Sequence, residues 1–119
     1  MKLFFPILGW VFGVLFLVSA VVQYNDPDPW TWILIYSIAA LVSVGFALGR
    51  ISFRILLSLG IMTFLGFIYT FPEKFEGFEI GGGDIKNIEE GRESFGLLII
   101  SIIMFIYALR TRYLRASKI

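Results

Sequence analysis

The sequence has no cysteine and no histidine. Without cysteine there is no disulfide, no thiolate nucleophile and no thiolate metal site. Without histidine the usual proton shuttle and the commonest transition-metal ligand are both missing. Charge is sparse as well, at 16% of the 119 residues. The formal net charge of +1 points to no acidic partner, nucleic acid included. Only four residues are proline, against thirteen phenylalanines, which excludes a disordered chain. Any chemistry must come from carboxylates, guanidinium groups, amides and hydroxyls.

Apolar residues make up 58% of the chain and aromatics 18%, with a mean hydropathy of +0.85. A soluble domain this small could not bury so much apolar surface, because surface-to-volume scaling leaves much of it exposed. Lipid is therefore the expected solvent. Four apolar runs are long enough to matter, at about 3–22, 30–48, 55–71 and 94–109. At ~1.5 Å per residue the first reaches roughly 30 Å, the thickness of the hydrocarbon core. Lys2, the apolar stretch and Val18-Ser19-Ala20 also resemble a secretory signal. The length of the run, and Gly9 with Gly13 in it, favour a packed spanning helix instead. The expected fold is an all-α membrane protein, a single domain over residues 1–119. It is a four-transmembrane-helix bundle with an extracytoplasmic loop over 72–93.

Charge position orients the bundle. Lys2, Arg50, Arg54, Arg110, Arg112, Arg115 and Lys118 fall on one side if all four runs span. All nine acidic residues, from Asp26 and Asp28 to Glu89, Glu90 and Glu93, fall on the other, with only Lys74, Lys86 and Arg92. The faces then carry +7 and −6, and the positive-inside rule makes both termini cytoplasmic. Tyr24, Trp30 and Trp32 stand where an outer aromatic belt would lie. Asp28-Pro29 reads as an N-cap followed by a proline at the first helical position. Asn87 and Glu90 have capping-box spacing, which starts the last helix near Ile88. The stretch 75–80 alternates large apolar residues with Glu and Gly, as a surface strand or turn would, and Gly81-Gly82-Gly83 reads as a link. Gly9 and Gly13 form a small-residue pair that packs within the bundle or joins two copies in a homo-oligomer.

Two clusters facing the outer side could bind something. The first is Gln23-Tyr24-Asn25-Asp26-Pro27-Asp28-Pro29, a turn that two prolines stiffen. The second is Glu89-Glu90-Gly91-Arg92-Glu93, where Glu89 and Glu93 share a helix face and Arg92 is three residues from Glu89. Carboxylates gathered at one depth repel unless Arg92, protons or a cation offset them. Oxygen donors alone favour Ca²⁺ or Mg²⁺, with Asp26, Asp28, Glu89 and Glu93 as ligands. The EF-hand pattern is not met. The plain alternative makes Asp28 a cap, Asn25 and Asp26 turn formers, and Arg92 a neutralising partner.

At these clusters the sequence resembles the transmembrane protein 220 family. Gln23-Tyr24-Asn25-Asp26-Pro27-Asp28, with Trp32 and Tyr36, is similar to that family's QxNDPD…W…Y signature. Glu89-Glu90-Gly91-Arg92-Glu93, then Gly96-Leu97, is similar to its EEGRExxGL signature. The resemblance runs from about Gln23 to Ile103. It implies a multi-pass membrane protein without implying a mechanism, and it points at Asn25, Asp26, Asp28, Trp32, Tyr36, Glu89, Arg92 and Glu93. Relatives with further helices after the second signature exist.

Three functions compete on this reading. The first is a non-enzymatic module whose acidic outer face binds a divalent cation, a lipid headgroup or a membrane protein partner. The second is a membrane enzyme using metal-held water, with Glu93 or Asp26 as base and Arg92 as anion clamp. The third is an oligomeric cation transporter or channel component, for which spans lacking ionisable residues other than tyrosine are poor material.

Overall fold

The computed structural model describes residues 3–25, 29–72 and 85–117, apart from the side chains of Asn25, residues 85–87, Glu89 and residues 115–117. Among the described residues there are four α-helices, one 3₁₀ turn and no strand. The helices are α1 (Phe4–Val22), α2 (Pro29–Ala47), α3 (Phe53–Thr70) and α4 (Ile85–Ser117), and the 3₁₀ turn is Gln23–Asn25. Each helix is long and apolar enough to cross a membrane; in α4 that stretch is Glu90–Leu114. Helices suit this solvent because each satisfies its own backbone N–H and C=O groups, which lipid cannot do. Pro6 is tolerated because it stands in the first turn of α1, where its missing N–H would have no intrahelical partner. Pro29 occupies the first position of α2, as its fixed φ suggests.

The chain forms two compact units, residues 1–52 and 53–119, each an antiparallel helical hairpin. In the first, small residues bring the backbones together. A Cβ on Gly9 would lie 2.9 Å from the Ser43 carbonyl oxygen and 3.0 Å from Ala47 Cβ. One on Gly13 would lie 3.1 Å from Val44 Cγ2. Farther along, the Phe16 and Tyr36 rings meet at 6.4 Å. Gly9 and Gly13 are thus used within their own hairpin.

α2 closes in a Schellman motif. The Arg50 N–H donates to the Gly45 carbonyl and the Gly49 N–H to that of Phe46, both at 2.9 Å. Gly49 takes φ 71°, a left-handed conformation that a side chain disfavours. Ile51 folds back over Gly45, with Cγ1 2.6 Å from where a Cβ would be.

The second hairpin uses the same device with larger partners. The Phe105 ring covers Gly60 and Leu97 covers Gly66. Ser101 Oγ donates to the Gly60 carbonyl at 2.8 Å, an interhelical hydrogen bond in an apolar setting. Phe67, Phe71 and Phe95 form a three-ring cluster with centroid distances of 5.7–6.3 Å. Thr63, Thr70 and Thr111 turn their hydroxyls onto carbonyls of their own helices. Among the described residues no buried side-chain nitrogen or oxygen lacks a partner.

One helix boundary differs from the sequence expectation. α4 begins at Ile85, so Asn87 lies inside its first turn and is not its cap. Hydropathy delimits the apolar stretch, whereas the helix continues through Lys86, Glu89, Glu90, Arg92 and Glu93, whose straight side chains favour helix. The segment 73–84, including the expected surface strand or turn at 75–80, lies outside the described residues.

Candidate functional site

The first cluster starts where α1 ends. The Gln23 backbone N–H turns to the Ala20 and Val21 carbonyls. Its side-chain Nε2 donates to the Ser19 carbonyl at 3.1 Å. The glutamine thereby satisfies an acceptor that the helix end leaves without its ordinary partner. Asn25 closes the 3₁₀ turn, with its side chain outside the described atoms, and Asp26 and Asp28 lie outside the described residues.

α2 then sorts the aromatic residues. Tyr24 is 70% exposed and Trp30 81%, as belt residues would be, but Trp32 is only 6% exposed. Positions 30 and 32 are ~200° apart around a helix, so both cannot face outward. Trp32 therefore leaves the expected belt and joins the inward face with Tyr36, Ala39 and Ser43. Tyr36 is half-buried, on the ring of Phe16.

The second cluster lies on the first turns of α4. Its inward residue is Gly91, which is buried, while Arg92 is exposed and Glu90 and Glu93 are half-buried. Arg92 and Glu93 are both engaged by other groups. Ser94 is buried and its Oγ donates to the Gly91 carbonyl at 3.0 Å. Ile88, Gly91, Ser94, Leu97, Ser101, Met104 and Ala108 form one buried stripe at spacings of three and four. The charged letters of the motif thus flank a packing stripe that continues into the membrane span.

Asn25, Trp32 and Tyr36 belong to the first hairpin and Arg92 and Glu93 to the second. Of the four expected metal ligands, only the Glu93 side chain is described. Among the described residues no three His, Cys, Asp or Glu side chains gather as a metal-holding group. Sequence reasoning named Gln23 and Gly91 within the two clusters without assigning them roles, and gave Ser94 none beyond opening the last apolar run. The signal for Gln23 was available: an amide side chain at the first residue past an apolar run, where carbonyls need donors.

Four helices long and apolar enough to span, with no buried side-chain nitrogen or oxygen left without a partner among the described residues, define a multi-pass integral membrane protein. The profile described as Transmembrane family 220, helix, matches residues 15–109, and the chain belongs to that family. Transmembrane protein 220 of Xenopus laevis is 34% identical over 98 residues, covering 72% of this chain and 48% of the relative. The chain therefore spans about half the length of this curated relative. No solved structure matches it.

Proposed function

We propose that this chain is a non-catalytic membrane module, inserted with both termini cytoplasmic, whose acidic outer end binds a cationic ligand. The observation that carries the reading is the one-sided distribution of charge about the four spans. All nine acidic residues fall between α1 and α2, between α3 and α4, or on the first turns of α4. The oxygen donors of Asp26, Asp28, Glu89 and Glu93 suit Ca²⁺ or Mg²⁺. The same carboxylates would hold an ammonium-bearing lipid headgroup or a basic segment of a membrane protein partner. Arg92, on the same helix, limits the repulsion between Glu89 and Glu93 when no ligand is bound.

The test is thermal stability in mild detergent after chelator treatment, against added Ca²⁺, Mg²⁺, Mn²⁺ and Zn²⁺. A cation that binds only the folded chain stabilises it by ~2.7 kcal/mol at a hundredfold excess over its dissociation constant. We expect Ca²⁺ or Mg²⁺ to do so, and Asp26→Asn or Glu93→Gln to abolish the gain. If no cation shifts the wild type while both variants lower its melting temperature, the acidic groups are a structural lock and the cation reading fails.

A further inference from the structure

The basic end of the second hairpin is separated in sequence from every aspartate and glutamate of its own unit. On α4, Glu93 and Arg112 are nineteen positions apart, or ~28 Å of helix, about the thickness of the hydrocarbon core. No Asp or Glu occurs from residue 94 to residue 119 or along α3. Every acidic residue of this unit lies between Glu73 and Glu93, which connect or occupy the opposite ends of the two helices.

The arginines are held at that end by the packing of the hairpin. The Arg112 guanidinium lies over the ring of Phe53, the first residue of α3, at 5.7 Å. Arg54 follows Phe53 directly, so it stands at the same level on the neighbouring helix. Arg110 lies over the Tyr113 ring at 5.4 Å. Arg54, Arg112, Tyr113 and Leu114 are all exposed. A ring contact restrains a guanidinium while its planar fork keeps the donors that match phosphate in a bidentate manner.

We propose that Arg54 and Arg112, with the Phe53 ring beneath Arg112, form a docking surface for the phosphate headgroups of anionic lipid. Lipid is favoured over a soluble anion because the cations stand one membrane thickness from the acidic end, among exposed Tyr113 and Leu114. The inference does not depend on which side of the membrane this end occupies, nor on the cation site proposed above.

The test extracts the full chain from vesicles of phosphatidylcholine with a minority of phosphatidylglycerol and measures which lipid it retains. We expect severalfold enrichment of phosphatidylglycerol, falling to the bulk ratio in the double variant Arg54→Gln/Arg112→Gln. Arg112→Lys, which keeps the charge but loses the fork, should retain an intermediate enrichment. Lys74→Gln, remote in sequence from the patch, should leave it unchanged. Equal enrichment in wild type and double variant would overturn the proposal. So would millimolar inorganic phosphate displacing the lipid, since the site would then belong to a soluble anion. Should the double variant fail to fold, the Arg112→Lys and phosphate arms still decide.

Discussion

Individual glycines in this protein do different work, and the difference is measurable. At Gly9 the nearest neighbours of an added Cβ are the Ser43 carbonyl oxygen and Ala47, atoms of the facing backbone or tied closely to it. At Gly66 the neighbour is the far end of Leu97, 3.1 Å away, which a rotamer change can relieve. Overpacking where nothing can yield costs about 1–3 kcal/mol. Gly9→Ala should therefore lower stability by that amount, and Gly66→Ala by clearly less, as read from unfolding in mixed micelles. Equal costs would mean that α1 and α2 separate easily. Trp32 and Trp30 make a parallel contrast: they are the same residue type two positions apart, one in the packing face and one at the exposed rim.

Among the elements, α4 organises the second hairpin. Its buried stripe starts at Ile88, in the charged head, and continues to Ala108, so head and span are one uninterrupted helix. The Ser101 hydroxyl on that stripe reaches across to Gly60 on α3. Interhelical hydrogen bonds in membranes contribute about 0.6–2 kcal/mol. Ser101→Ala should cost an amount in that range, because Gly60 keeps its helical backbone geometry when the hydroxyl is lost. Thermal unfolding of the variant beside wild type checks this, and no change would assign the contact to packing alone. The apolar core of α4 was legible in the sequence as 94–109. Its full extent was not, because backbone hydrogen bonding does not stop where side chains become polar.

For the whole molecule, the absence of cysteine makes orientation directly accessible. A single cysteine at Ser117, past the basic flank, should resist a membrane-impermeant maleimide in intact cells or right-side-out vesicles and react after permeabilisation. One at Asp28, between α1 and α2, should react without permeabilisation. The opposite pattern would invert the proposed topology and place the acidic groups on the cytoplasmic side. Both positions lie outside the stretches apolar enough to span.

The sequence alone determined the solvent, the four helices and the family. Each of these depends on composition along the chain: four uncharged stretches near bilayer length and two ungapped motifs around Asn25 and Arg92. The inward faces were decided by tertiary structure. Lipid accepts Val, Leu and Phe on every side of a helix, so a spanning segment carries little amphipathic pattern to mark its buried stripe. The family signature singled out Trp32 over Trp30 without giving it an inward position, and nothing local in the sequence paired Gly60 with Ser101 and Phe105 or assigned Gly9 and Gly13 to their own hairpin. Those outcomes arise when two helices approach closely enough for dispersion and one hydrogen bond to favour a single register, which is a property of the pair and of neither helix alone.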